Sequence, residues 1–220
     1  MALNINGTTG ISGVDGSVSA PALTGTDSNT GITFPSADTI KFSTGGVERI
    51  SITNSGISGT GISSGITMVD KWRNTSNFSG AANPLASNLS RATSSTDGYI
   101  GSAMTESSGI FTFPSTGIYR IEALAEAYIY DATNRYYQLQ IEKSVDSGSS
   151  FTLGSRSSSS QFDSNTNTFS SAYSFFLFDV TNVSTHKIRF VITVANSSVY
   201  TIGDSTSDRT FFTFIRLGDT

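Results

Sequence analysis

The chain has 220 residues, enough for one β domain or two small ones, with 36% hydrophobic and only 14% charged residues. A formal net charge of −4 with no basic cluster excludes a nucleic-acid-binding surface, and no run approaches the roughly 18 apolar residues of a membrane span. With no cysteine, disulfides and thiolate metal sites are excluded, which points to assembly in a reducing cytoplasm. Ser, Thr, Gly and Asn fill the remaining positions. Such a chain suits strands and tight turns, not amphipathic helices, and 15 Phe with 8 Tyr supply a core.

Met1-Ala-Leu-Asn-Ile-Asn-Gly lacks the basic and apolar regions of a signal peptide. Six Asn-x-Ser/Thr sequons follow from Ser/Thr abundance and carry no meaning without a secretory route. Residues 1–66 hold 12 of the 21 glycines and neither Tyr nor Trp, so they cannot build a globular core. Yet Gly-Ile recurs at Gly10, Gly31, Gly56, Gly61 and Gly65, and apolar pairs recur at Ile32/Phe34, Ile40/Phe42 and Ile50/Ile52. Residues 38–52 read as two strands around a Gly45-Gly46 turn. A lone hairpin is marginal in water. One reading is a flexible Gly/Ser linker; the other is a fibrous stalk in which three copies bury the Ile and Phe that one cannot. The regular Ile spacing favours the stalk. The expected organisation is a shaft and virion-attachment segment over 1–55, a Gly-rich neck over 56–65, and a head over 66–220.

The stretch from Asn4 through Ile32, continued by Phe34-Pro-Ser-Ala-Asp-Thr-Ile-Lys-Phe-Ser-Thr-Gly-Gly-Val-Glu-Arg-Ile, resembles the opening of small fibre proteins of tailed phages, particularly those infecting cyanobacteria. The resemblance covers about the first sixty residues. It implies a trimeric shaft or virion-attachment segment that meets another virion protein.

After Gly65 the composition changes. Residues 66–73 open the head as a strand, 74–96 hold a short edge strand and long loops, and 99–104 and 110–113 are expected as short strands. Pro114 and Gly117 force a bend, and a long strand runs over 118–131. Its odd positions, Tyr119, Ile121, Ala123, Ala125, Ala127 and Ile129, form one apolar face at period two. Its even positions, Arg120 to Tyr130, are mixed. Residues 135–145 alternate cleanly, 146–150 turn, 151–153 form a short strand, and 156–168 are expected as a long Ser/Asn/Asp loop. Strands over 169–180, 186–200 and 210–217 close the chain.

Phe111-Thr-Phe-Pro-x-x-Gly-Ile-Tyr-Arg resembles the corner motif of TNF-like jelly rolls, which include complement head domains and many phage fibre tips. The fold expected is therefore all-β: an N-terminal extended trimeric β shaft, then a C-terminal antiparallel jelly-roll sandwich. In TNF-like jelly rolls the strands matching 118–130, 169–180 and 210–217 form the inner sheet around a three-fold axis. The residues point the same way. Strands 135–145 and 186–194 have one wet face, whereas those three are apolar on both, and a sandwich covers only one face of each sheet. With no amphipathic helix to cover the second face, sister copies do so, and Leu124, Tyr128, Tyr130, Phe176, Phe178, Phe212 and Phe214 are the expected interface of a homotrimer.

Catalytic and metal sites find no support. His186, the single histidine, has no signalled partner. Asp27-Ser-Asn-Thr-Gly and Asp163-Ser-Asn-Thr-Asn resemble fragments of calcium loops but lack the distal Glu. Glu122 and Glu126 share a strand face, where a salt bridge with Arg120 is the simpler reading than glycosidase chemistry. No cofactor is expected. Loops of Ser, Asn, Tyr and Phe suit adaptable recognition, so Asn134, Arg135, Tyr136, Phe162, Asp163, Asn165 and Asn167 are the candidate contacts with a host glycan or protein. The function expected is a homotrimeric phage virion fibre, without enzymatic activity or membrane insertion, assembled in the host cytoplasm and binding the host surface through its knob. The alternative is a capsid-decorating head fibre or structural tail component with no required receptor.

Overall fold

A computed structural model of the chain describes residues 4–6, 10–12, 15–60, 62, 65–92 and 97–220. Residues 61, 63 and 64 of the expected neck, 93–96 of the expected loops within the head, and 1–3, 7–9 and 13–14 lie outside the described residues. Two compact units divide the chain, Met1–Ser64 and Gly65–Thr220. Among the described residues there is no helix.

In the first unit β1 (Asn4–Asn6) pairs with β2 (Gly10–Ser12), and β3 (Gly16–Ser17) with β4 (Ala20–Pro21). The other strands, β5 (Leu23–Thr24), β6 (Gly31–Thr33), β7 (Ile40–Thr44), β8 (Val47–Thr53) and β9 (Gly56–Gly59), form a five-stranded antiparallel meander in chain order. The Gly45-Gly46 hairpin is there: both glycines have positive φ, 60° and 73°, as a two-residue turn with right-handed strand twist demands. Gly56–Gly59, read in the sequence as the start of the neck, instead pairs with β8 as the fifth strand.

The second unit is a two-sheet antiparallel sandwich. Its strands are β10 (Met68–Asn74), β11 (Phe78–Ser79), β12 (Leu89–Arg91), β13 (Thr105–Ser107), β14 (Ile110–Thr112), β15 (Gly117–Tyr130), β16 (Asn134–Ser144), β17 (Thr152–Gln161), β18 (Asn167–Val180), β19 (Lys187–Val194), β20 (Tyr200–Thr201) and β21 (Phe211–Gly218). One sheet runs β12-β10-β21-β15-β18, with β20 and β11 alongside the far half of β15; the other runs β13-β14-β19-β16-β17.

Alternation on β15 works as its sequence requires. Tyr119, Ile121, Ala123, Ala125, Ala127 and Ile129 are all fully buried. Facing them from the other sheet are Tyr137, Leu139 and Ile141 of β16 and Ile188, Phe190 and Ile192 of β19. Phe190 stacks on Phe212 with ring centres 3.8 Å apart, and Phe111 meets Trp72 edge-on at 5.4 Å. Phe113, in the corner motif, packs on Tyr119 at 4.6 Å, while the Tyr119 hydroxyl donates to the Ser115 carbonyl. The corner is thus held by an aromatic pair and a buried hydroxyl.

Two expectations change. Of the segment 99–104 only Ile100 forms a β contact, a single bridge to Val69; the hairpin is β13–β14 around Ser108-Gly109. Residues 156–161, expected in a loop because of their serines, belong to β17, a ten-residue strand. Serine has low intrinsic strand preference, but pairing with β16 from Lys143 to Asn134 supplies the backbone partners and overrides it.

Candidate binding surface

Register decides which aromatic residues are free. Along β18, Phe178 lies opposite Tyr119, Phe176 opposite Ile121 and Ala172 opposite Ala125, all on the core side. On β21, Phe214 lies opposite Ile121 and Phe212 opposite Ala123. Phe212 and Phe214 are therefore fully buried, Phe178 is nearly so, and Phe176 packs against the core under the Lys143 ammonium. These four are corrected: they are core, not an outward face. Both parities of β18 are aromatic, so periodicity cannot choose between them, and pairing with β15 does. Leu124, Tyr128 and Tyr130 do lie on the outward side, with Tyr130 65% exposed.

The outward face that results was missed in part. Phe169, Tyr173, Phe175 and Leu177 of β18 are each about half exposed, and Leu217 and Tyr200 continue the patch on β21 and β20. Tyr128 stacks on Tyr200 at 5.2 Å and tilts on Phe169 at 5.8 Å. The charges on this face are neutralised locally. Arg120 pairs with Glu122 at 2.5 Å and lies over the Phe175 ring; its pKa is raised by a hydrogen bond to Tyr173 and by Glu122. Glu126 accepts two bonds from Arg209, at 2.5 and 2.8 Å. Glu122 and Glu126 therefore each have their own arginine. Lys71 and Arg73 are bound to Asp97 and Asp208; burial lowers the Lys71 pKa, but hydrogen bonds to the two carboxylates outweigh it and raise it.

Beside this face lies an open edge. Among the described residues β17 pairs only with β16 and β18 only with β15. Ser155–Ser174 and Ser159–Ser170 hydrogen bonds, 2.8 and 3.1 Å, join the two strands across the gap between sheets. Long uncovered edges are sites for pairing with another chain.

One end of the sandwich collects the loops. Asn134 is fully buried, and its Oδ1 accepts from the backbone N–H groups of Ala195 and Asn196, both at 3.1 Å. Its Nδ2 donates to Gln161 Oε1, whose own Nε2 donates to the Thr168 carbonyl. One side chain thus ties together the β15–β16, β17–β18 and β19–β20 connections. Asn134 is corrected as a contact residue: it is a buried tie. Arg135, Tyr136, Phe162, Asp163, Asn165 and Asn167 are exposed around it, Phe162 at 71%. Asn165 takes φ of 52°, which its side chain tolerates in a turn.

No second chemistry gathers here. His186 touches the Phe178 ring and the hydroxyls of Thr181 and Thr185. Among the described residues no group of three His, Cys, Asp or Glu is placed to hold a metal ion. Asp27 accepts from Asn29 N and Thr30 Oγ1, closing a turn.

No protein-family model and no curated protein matches this chain. Solved structures do. Eiger TNF from S. frugiperda matches 71% of this chain and 95% of its own length, with a TM-score of 0.52 at 10% identity. Murine APRIL at pH 5.0 matches 68% of this chain and 98% of its own, with a TM-score of 0.48 at 18% identity. The likeness to Eiger gives the fold: the sandwich is a TNF-like jelly roll.

Proposed function

We propose that the chain is a homotrimeric virion fibre protein of a tailed phage, without enzymatic activity, whose jelly-roll head binds the host surface. The observation that carries the reading is the half-exposed aromatic face of β15, β18 and β21 lying beside the open β17–β18 edge. A single chain leaves both uncovered. A ring in which the face of each copy meets the edge of the next covers both at once, a heterologous contact whose rotation closes the cycle. The TNF-like fold is compatible with such a ring, and the resemblance of the first sixty residues to phage fibres supports the N-terminal unit as the attachment segment to another virion protein.

Within that ring the loops around Asn134 stay free for a host glycan or protein. Exposed Tyr136 and Phe162 offer amphipathic contact area, and Asn165 and Asn167 offer adaptable hydrogen bonds. Purified full-length chain is expected to compete with the parent phage for adsorption to host cells. A Tyr136→Ala, Phe162→Ala double variant of unchanged oligomeric mass is expected to lose that competition by at least about tenfold. If the double variant competes as well as the parent chain, the loops are not the receptor surface. If neither competes, the protein decorates the particle without a required receptor.

A further inference from the structure

A polar trough crosses the outward face of the head between two apolar rows. Pairing places Tyr200, Tyr128 and Phe169 in one cross-strand row and Phe211, Leu124 and Tyr173 in another. Between them Glu126 lies opposite Ser171. Tyr128 and Leu124 are four residues apart on β15, so the rows stand roughly 13 Å apart. Asp208 closes one side, and the open cleft that results, lined also by Leu124, Phe169 and Ser170, holds about 430 Å³. That lies within the roughly 300–1,000 Å³ of small-molecule sites. Its polar groups are fixed but not exhausted. Glu126 accepts two bonds from Arg209, and Asp208 accepts one from Lys71 and one from Arg73. A carboxylate has about four lone-pair positions, so each keeps acceptor capacity for a ligand.

We propose that this trough binds a neutral hexopyranose of a surface glycan, with Glu126 and Asp208 accepting from its hydroxyls and Phe169 lying against its C–H face. Two features select that ligand. Each carboxylate already faces a cation, so the cleft offers no uncompensated charge, and an acidic or phosphorylated sugar would meet two carboxylates. The wall beside this acceptor-rich floor is aromatic, and Phe169 is 56% exposed. A ring face is the negative part of the aromatic quadrupole and attracts C–H groups. A pyranose has both chemistries, hydroxyl donors on its rim and C–H groups on its flat side. The trough adjoins the loops around Asn134, since Phe169 follows Asn167 by two residues and Tyr128 precedes Tyr130 by two. The inference rests on the host-binding reading and gives it a ligand class and a second contact site.

Saturation-transfer NMR of the full-length chain with the methyl glycosides of glucose, mannose and galactose is expected to show binding of at least one, with a Kd on the order of 1 mM. Phe169→Ala is expected to weaken it at least about fivefold through loss of a ring contact. Ser171→Tyr, which fills the trough from an exposed position, is expected to abolish it. N-acetylneuraminic acid and glucose 6-phosphate are expected to give no transfer. The Tyr136→Ala, Phe162→Ala double variant is expected to bind the glycoside as the parent does. Binding of none of the glycosides, or binding untouched by Phe169→Ala and Ser171→Tyr, overturns the inference and leaves the loop test of adsorption standing. Loss of binding in the double variant alone moves the sugar to the loops and overturns the trough. Preference for an acidic sugar overturns the ligand class. Binding by a Phe175→Glu chain but not by the parent means that a neighbouring copy seals the trough, and overturns it as a host site. A chain that binds the glycoside yet fails to compete with the parent phage keeps the trough and overturns the host-binding reading.

Discussion

Asn134 is the residue on which the loop end of the head depends. Replacing it by Ala removes the acceptor of the Ala195 and Asn196 N–H groups and leaves the side-chain Oε1 of buried Gln161 without its donor. A buried unsatisfied group costs about 1–3 kcal/mol, so Asn134→Ala is expected to destabilise the head by roughly that much. Chemical denaturation checks this; a loss under about 1 kcal/mol counts against the tie. The residue type gave no warning, because an asparagine before Arg-Tyr-Tyr reads equally well as an exposed loop contact. At the β16–β17 turn, Asp146 accepts from Ser144 Oγ at 2.6 Å and from Ser150 N and Oγ. Those bonds, the one from Ser144 first, lower its pKa from 3.8 to about 2. A depressed folded-state pKa means stabilisation that is complete above the unfolded value and lost as pH falls through the folded one. The melting-temperature gap between the parent chain and Asp146→Ala is therefore expected to stay constant above about pH 5 and to close towards pH 2. A gap that persists undiminished at pH 2 rules out the carboxylate as its source.

At the scale of elements, β15, β18 and β21 separate a core face from an outward face by parity. Phe212 is enclosed between Phe111 and Phe190 in the core, so Phe212→Ala removes packing inside one chain. It is expected to cost about 3–5 kcal/mol, with a denaturation midpoint shifted at every protein concentration. Phe175 lies on the outward face of the same sheet. Phe175→Glu is expected to spare the fold of a single head but to lower the oligomeric mass at a given concentration. Equal behaviour of the two variants in light scattering and denaturation would refute the division. Strand existence and turn positions were legible here: the Ala face of β15, the Pro114–Gly117 bend and the Gly45-Gly46 hairpin all follow from neighbours in sequence. The outward residues of β18 were not, because that strand is apolar on both faces.

For the whole molecule, the head and the N-terminal meander each carry an exposed apolar face. Light scattering of the full chain is expected to give the mass of three copies. In the proposed trimer, weak loop contacts repeated three times would raise overall binding by a factor of about 10² or more over a single head. The Phe175→Glu chain, with its loops intact, is therefore expected to compete for host adsorption at least about a hundredfold less well than the parent. Competition equal to the parent would show that multivalency is not how the surface is held.

By itself the sequence determined the class of structure. A two-residue hydrophobic period, aromatic abundance and Gly or Pro at bends act over a few neighbouring residues, and they specify strands, turns and an all-β head after Gly65. Only the tertiary structure decided that Phe212 and Phe214 point inward, that the serines of β17 form an edge strand, that Asn134 is buried, and that Thr33, Ser43 and Ser51 of the meander are buried. Each of those depends on cross-strand register and on hydrogen-bond partners tens of residues away, and local periodicity carries no information about either.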